Sequence, residues 1–209
     1  MTDKNEQKER RFVPFTEIRV ETDADGKSKL VGYAAVFDTL SEDLGGFRER
    51  VASGAFDRTL KEGADVRALV DHDPSKMIGR NKAKTLKLKV DKKGLHTTID
   101  LPDTTAGRDI KESVNRGDVD GMSFGFITVT DAWEMQDKET VRTLKDVDLF
   151  DVSPVTFPAY PDTSVALRSK DKAIDQANKE GEEDEEKKER NWKARNKLKR
   201  AELESKAIA

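Results

Sequence analysis

Between Phe12 and Arg168 the chain returns repeatedly to one pattern, a short apolar or alternating segment followed within a few residues by a turn. Alternation places every second side chain on the same face of a strand, and closely spaced turns leave little room for long helices. Six segments have this character: FTEIRVET, KLVGYAAVFDT, VRALVDHD, KTLKLKVDKKGLHTTIDL, SFGFITVTDAWEM and RTLKDVDLFDVSPVTF. The fourth predicts two strands joined by a Lys-Lys-Gly turn. The pattern therefore indicates a domain built mainly from short strands.

Two segments in the same region predict helices. Ser53 is positioned to cap a helix within GAFDRTLKEG that ends at Gly63, and a second helix is expected to begin at Asp103 or Thr104 and to end at Gly117. Strands nevertheless outnumber helices, and turn signals recur at short intervals. The predicted fold is mainly β with helices (α+β), a closed or nearly closed antiparallel β-barrel surrounded by a few helices.

The composition changes at both ends of this region. Residues 1–11 are polar and form a lead-in, whereas residues 169–209 contain few aliphatic side chains and long blocks of charge. Of the 209 residues, 39% are charged and 34% are hydrophobic, which suits one globular domain with solvated flanks. The sequence therefore predicts a folded domain over 12–168. The tail is predicted to be either helical, because its acidic block EGEEDEE precedes a complementary basic block, or disordered.

Charge and composition exclude several kinds of function. The net charge of −3 favours neither a nucleic-acid partner nor an anionic membrane. The chain has no cysteine, which rules out disulfides, thiolate zinc sites and a cysteine nucleophile. Its N-terminus lacks the apolar stretch of a secretory signal, and no segment approaches the ~20 apolar residues that span a bilayer. We therefore expect a soluble protein of the cytoplasm that uses no cofactor and no metal ion.

The segment DGMSFGFITV places a single serine, Ser123, in a predicted strand between Gly121 and Gly125. Glycine weakens a strand, but it also permits another backbone to come close. One interpretation is that Ser123 is simply a small residue that the strand tolerates. The other is that Ser123 is a nucleophile, which would need a base to take its proton and fixed donors for the oxyanion.

Only two histidines are available as that base. His96 shares one face of a predicted strand with Thr98 and Asp100, a polar face that indicates a solvated side chain. His72 follows the apolar run VRALV, and Pro74 ends that strand just beyond it. The position of His72 fits either a turn histidine with no catalytic role or a general base that faces an active site.

A third group would be needed to orient the histidine. Asp151 interrupts an apolar run within VDLFDVSPVTF. A carboxylate in a buried strand is costly unless it is paired, and an imidazole that donates a hydrogen bond would satisfy it. The alternative is a charge at a strand end that reaches solvent.

Four blocks of sequence extend these observations: GYAAVFDTLSEDLGGFRERVASGAF (32–56), VRALVDHDPSKMIGR (66–80), GDVDGMSFGF (117–126) and FDVSPVTFPAYPDTSVAL (150–167). In this order and spacing they resemble the tailed-phage prohead proteases, which are capsid-maturation serine proteases related to herpesvirus assemblin. The resemblance runs from about Phe12 to Arg168, and the ordered set of blocks is more specific than any one of them.

The resemblance implies a fold and the roles of three residues. The family fold is a β-barrel surrounded by helices. The family's base and nucleophile are the histidine of the second block and the serine of the third, which here are His72 and Ser123. The acid of the fourth block, Asp151, resembles the third member of the triad. Assemblin has a second histidine in that role, but His96 lies outside the matching blocks.

The oxyanion requires donors of its own. Backbone amides near Ser123 and Gly125 are the expected donors, and Arg80 is a further candidate from its charge and its place in the IGR segment.

The implied function is that of a serine endopeptidase in phage prohead maturation. Its expected substrates and partners are the scaffold protein or the scaffolding segment of the major capsid protein, and the protease itself. The expected location is the host cytoplasm and then the interior of the prohead, and a homodimer or higher oligomer is the expected assembly. The competing hypothesis is a capsid scaffold or assembly chaperone that keeps the barrel and binds without cutting.

Overall fold

The computed structural model describes residues 8–13 and 17–156, which contain ten strands and two helices. In chain order these elements are β1 (Lys8–Val13), β2 (Arg19–Thr22), β3 (Ser28–Val36), β4 (Arg48–Val51), α1 (Asp57–Lys61), β5 (Arg67–Val70), β6 (Asp73–Arg80), β7 (Leu86–Val90), β8 (Gly94–Asp100), α2 (Thr105–Arg116), β9 (Gly121–Gln136) and β10 (Glu139–Val155). Neither described helix has the length and apolar character that a membrane span requires. The predicted tail, 169–209, lies outside the described residues.

Strands β2, β3, β8 and β7 form an antiparallel sheet in that order. In β8, Leu95 and Ile99 are fully buried, as alternation along a strand requires. The turn between β7 and β8 is held by Asp91, whose Oδ1 accepts hydrogen bonds from the backbone N–H groups of Lys93 (2.8 Å) and Gly94 (3.0 Å). The predicted pair of strands around a Lys-Lys-Gly turn is therefore confirmed.

Strands β9 and β10 are the longest and form the centre of a second sheet, with the order β1, β9, β10, β5, β6. β1 and β10 pair antiparallel with the two edges of β9. β10 also pairs in parallel with β4 over 141–144 and with β5 over 151–152. Its register against β9 shifts in several places, the last of them between Leu149 and Asp151. The sheet is therefore mixed rather than purely antiparallel.

The architecture confirms a mainly β fold with few helices but not the predicted barrel. The sheet centred on β9 and β10 curls into a half-barrel, whereas the sheet of β2, β3, β8 and β7 stays open. An isolated parallel bridge between Phe37 and Val51 links the residue after β3 to the last residue of β4. The prediction of a closed or nearly closed antiparallel barrel is wrong, because alternation along a strand specifies its two faces and not its neighbours.

The two helices differ in how well local sequence specifies them. α2 begins and ends as predicted, because Thr104 accepts a hydrogen bond from the Gly107 N–H (3.3 Å) and Gly117 takes the left-handed conformation that ends a helix (φ 79°). α1 is only five residues long, and its N-cap is Phe56, which makes no side-chain capping bond. The predicted cap at Ser53 is wrong, because a turn precedes the helix and carries Phe56 into the core.

One apolar core is shared by both sheets and both helices. Met122, Phe124 and Phe126 of β9 are fully buried in it, and the two phenylalanine rings stack with 5.0 Å between their centroids. Side chains alternate along a strand, so the intervening residues Ser123 and Gly125 lie on the opposite face of the sheet. The core therefore determines the face on which Ser123 stands.

Strand β1 begins with four charged residues, yet Glu9 and Arg11 are buried. Arg11 Nε donates to Glu49 Oε1 (2.7 Å), and Arg142 Nη1 donates to Glu9 Oε2 (2.7 Å) and Glu49 Oε2 (3.0 Å). Each buried charge thus has partners of opposite sign, without which its burial would be strongly destabilising. Strand β1 begins at Lys8, four residues before the predicted start of the domain at Phe12.

Candidate active site

Strand β9 places Ser123 where the sheet is paired on both sides. Its Cα partners are Phe12 on β1 and Ser153 on β10, so these three side chains share one face of the sheet. Ser123 is fully buried, with 0% of its surface exposed. A buried hydroxyl needs a hydrogen-bond partner, and the hairpin of β5 and β6 supplies it.

A two-residue turn, Asp71–His72, joins β5 to β6, and both of its residues adopt the left-handed conformation (φ 53° and 56°). Tight hairpins favour this geometry, which costs a residue other than glycine about 1–2 kcal/mol. Asp71 anchors the turn to the end of β10. Its N–H donates to the Pro154 carbonyl (3.0 Å), and its carboxylate accepts from the N–H (2.7 Å) and the hydroxyl (3.0 Å) of Thr156. These bonds hold His72 in place despite its unfavourable backbone conformation.

His72 connects the serine to the aspartate. Its Nε2 lies 2.7 Å from Ser123 Oγ, and its Nδ1 lies 2.6 Å from Asp151 Oδ1. Because a carboxylate only accepts hydrogen bonds, Nδ1 carries the proton when His72 is neutral, and Nε2 accepts from the Ser123 hydroxyl. His72 is 7% exposed and Asp151 is 3% exposed. The structure therefore brings the three predicted residues into one buried hydrogen-bonded chain.

Strand β10 presents Asp151 immediately after its register shift, opposite Gly125 of β9. The Ser153 hydroxyl donates to Asp151 Oδ1 at 2.9 Å, so that this one oxygen accepts from both Ser153 and His72. Ser153 is itself fully buried. Two donors compensate much of the cost of burying the carboxylate, and they hold it at the imidazole.

Gly125 leaves room for that carboxylate. A Cβ at this position would come within 2.6 Å of Phe150 Cε2 and closer still to Asp151 Oδ2. No ordinary side-chain contact is that short, so any larger residue would displace the aspartate. Glycine generally weakens a strand. Gly125 is nevertheless required here, because the Asp151 carboxylate comes so close to its backbone.

Two other residues named by the sequence lie apart from this chain of hydrogen bonds. His96 of β8 meets Tyr33 edge-on, with 5.1 Å between ring centroids. Arg80, at the end of β6, donates two hydrogen bonds of 2.7 Å to the carboxylate of Asp65. Its guanidinium is engaged by this ion pair, and its role at the oxyanion stays a prediction.

The expected oxyanion donors lie in a strand that is paired on both edges. β9 is paired on both edges around Ser123 and Gly125, to β1 on one side and to β10 on the other. Backbone N–H groups in such a strand donate to the carbonyls of its neighbours. The assignment of the oxyanion hole to the backbone near Ser123 and Gly125 therefore stays a prediction.

Sequence reasoning missed Ser153. The signal was present, because Ser153 follows Asp151 by two residues in one strand, a spacing that places both side chains on the same face. It also missed what Gly125 accommodates, because Gly125 and Asp151 are brought together only by the pairing of β9 with β10.

Comparison with known proteins places these residues in context. Residues 16–180 match the sequence model of the caudovirus prohead serine proteases. The chain is similar to the prohead protease of Enterobacteria phage HK97, with 29% identity over 157 residues, which are 73% of this chain and 65% of that protein. The match thus spans less than two thirds of the relative's length. Against the solved capsid assembly protease of bacteriophage T4 the TM-score is 0.46 at 8% identity, over 70% of this chain and 98% of that one.

Proposed function

Because the chain belongs to the caudovirus prohead serine protease family, we propose that it is a serine endopeptidase with Ser123 as nucleophile, His72 as general base and Asp151 as orienting acid. The observation that carries the proposal is the unbroken chain of hydrogen bonds from Asp151 to His72 (2.6 Å) and from His72 to Ser123 (2.7 Å). Burying three polar groups in this way is costly compared with apolar packing, so a purely structural role would not require them.

The geometry supports the following reaction. As Ser123 Oγ bonds to the carbonyl carbon of the scissile peptide, its proton passes to His72 Nε2, and Asp151 stabilises the imidazolium that forms. The tetrahedral intermediate then breaks the C–N bond, and the proton moves from Nε2 to the leaving amine. A water molecule attacks the resulting ester with His72 again acting as base, which releases the new carboxyl group and restores the Ser123 hydroxyl.

The site is closed in this arrangement. Ser123 is fully buried, so a peptide bond reaches its Oγ only after local opening of the surrounding structure. We assign the oxyanion to backbone N–H groups near Ser123 and Gly125, which become available when a ladder bond of β9 opens. Opening of the site and assembly of the oxyanion hole would then be one event.

We further propose the substrates and the location from family membership. The substrates are the scaffold protein or the scaffolding segment of the major capsid protein, together with the protease itself, and the site of action is the prohead assembled in the host cytoplasm. The similar protein of phage HK97 is a prohead protease, which supports this choice. The domain bounds 12–168, a homodimer or higher oligomer and the relation to assemblin stay predictions.

The test is coexpression of the chain with the major capsid protein and scaffold of its phage, with cleaved termini identified by mass spectrometry. Ser123→Ala should abolish cleavage while the chain still unfolds cooperatively as a folded domain. The matched control is Ser113→Ala on α2, whose hydroxyl donates to the Asp109 carbonyl (2.9 Å) away from His72. It should leave cleavage unchanged. Continued processing by Ser123→Ala would overturn the proposal.

A fluorophosphonate probe separates the enzyme from the non-catalytic scaffold. Ser123 Oγ displaces fluoride from phosphorus, and the proton passes to His72, so the adduct forms only where the base and nucleophile are competent. The adduct should appear on Ser123 of the wild type and be absent from the Ser123→Ala and His72→Ala variants. A folded wild-type chain that forms no adduct and cleaves nothing when it is coexpressed with the capsid protein would favour the hypothesis of a non-catalytic scaffold.

A further inference from the structure

We propose that Ser153 and Gly125 are positioning residues that together hold Asp151 at His72, an inference that rests on the proposed endopeptidase function. Ser153 Oγ lies 2.9 Å from Asp151 Oδ1, the same oxygen that accepts from His72 Nδ1 at 2.6 Å. Neither residue is hydrogen-bonded to Ser123 Oγ or His72 among the bonds of the described region. The Ser153 hydroxyl and the missing Cβ of Gly125 therefore act through the aspartate, whereas any role of the Gly125 N–H at the oxyanion is separate.

Two features set the position of the carboxylate, a hydrogen bond on one side and open space on the other. Ser153 donates to Oδ1, whereas Oδ2 faces the backbone of Gly125, where a Cβ would collide with it. A carboxylate without these restraints can rotate about its terminal torsion, which has a broad energy profile. Rotation would carry Oδ1 away from Nδ1 and leave the imidazole free to adopt the wrong tautomer.

The pairing of β9 with β10 makes this arrangement rigid. Ser153 is the Cα partner of Ser123, and Asp151 is the Cα partner of Gly125, so the four residues form two pairs on one face of the ladder, with one pair between them that faces the other side. Ser153 is fully buried and Asp151 is 3% exposed. Water therefore has little access to replace the Ser153 hydroxyl as a donor.

The experiment measures the second-order rate of fluorophosphonate addition to Ser123 in the full chain. Ser153→Ala should slow it by about tenfold to a hundredfold, the loss expected for one hydrogen bond to a charged group. Ser153→Thr keeps the hydroxyl and should react faster than Ser153→Ala, although its extra methyl group packs less well. A packing role predicts the reverse order, so Ser153→Thr reacting more slowly than Ser153→Ala would overturn the inference.

A double-mutant cycle tests whether Ser153 acts through Asp151. On an Asp151→Ala background, Ser153→Ala should cause no further loss of rate, because the group that it positions is gone. An additional tenfold loss there would overturn the inference, as would a wild-type rate for Ser153→Ala alone.

Gly125→Ala is the second route to the same result, and it keeps the inference testable if Ser153→Ala does not fold. It should slow addition at least as much as Ser153→Ala, because it displaces Asp151 Oδ2 directly. A folded Gly125→Ala chain with wild-type rate would contradict the inference. The proposed function fails separately, if Ser123→Ala is labelled as fast as the wild type.

Discussion

The buried charge network of β1 makes a quantitative prediction for Glu9→Gln. Glu9 Oε2 accepts from Arg142 Nη1 (2.7 Å) and Arg11 Nη2 (2.6 Å), and Oε1 accepts from the Thr128 hydroxyl (2.7 Å). Burial alone raises the pKa of the Glu9 carboxyl. The positive charge of Arg11, together with the charge and hydrogen bonds of Arg142, outweighs burial and lowers this pKa from 4.5 to about 2.

The shift converts directly into a free energy of unfolding. A lowering from 4.5 to about 2 corresponds to roughly 3 kcal/mol of stability, at about 1.4 kcal/mol for each factor of ten in the equilibrium constant. Since the folded pKa is the lower one, this stability is fully present above pH 4.5 and is lost as the pH falls through about 2. At pH 3 roughly 1 kcal/mol of it remains. Glutamine resembles the protonated carboxyl group. Glu9→Gln should therefore lower the free energy of unfolding by the larger amount at pH 7 and by the smaller amount at pH 3.

Urea denaturation of the full chain at pH 7 and pH 3 measures both values. Glu21→Gln is the matched control, since Glu21 is half exposed and pairs with Arg19 at the surface. It should change the free energy of unfolding little at either pH, as surface ion pairs usually do. A loss for Glu9→Gln below about 1 kcal/mol at pH 7, or an equal loss at both pH values, would refute the reasoning.

Three further predictions concern the site. Asp151→Asn should lower the rate of fluorophosphonate addition by about 10⁴-fold, because an amide that donates to Nδ1 enforces the wrong tautomer; a loss below tenfold would contradict this. Nitrogen NMR should find His72 protonated at Nδ1, with His96→Gln assigning the two rings, and protonation at Nε2 would count against the assigned hydrogen-bond chain. Arg80→Ala should keep the rate within about threefold if the guanidinium stays bound to Asp65; a larger loss would support Arg80 as an oxyanion donor.

Features that depend on a few neighbouring residues were predictable from the sequence. The caps of α2 at Thr104 and Gly117 act within one helical turn, and the Asp91 turn between β7 and β8 closes over four residues. Alternation likewise predicted β8 and its buried face. Ser53 shows the limit of this reasoning, because burial of Phe56 outweighed the preference of serine for a helix cap.

Strand partners were not predictable in the same way. β10 pairs antiparallel with β9 but parallel with β4 and β5, and an alternating sequence has the same appearance in either arrangement. The charged residues of β1 made it look like a solvated segment in the sequence. Glu9 and Arg11 are buried only because Arg142 and Glu49, which lie on other strands, form ion pairs with them.

The candidate site lies between these cases. Residue by residue, the sequence left Ser123, His72 and Asp151 open, and only the four family blocks joined them. By itself the sequence determined strand content, the ends of α2 and the absence of cysteine chemistry, because these follow from composition and short-range contacts. Only the tertiary structure decided that one imidazole meets partners 51 and 79 residues away, and that Ser153 and Gly125 restrain the second of them. Such contacts depend on strand register, which is set by the packing of the whole sheet and not by any local run of residues.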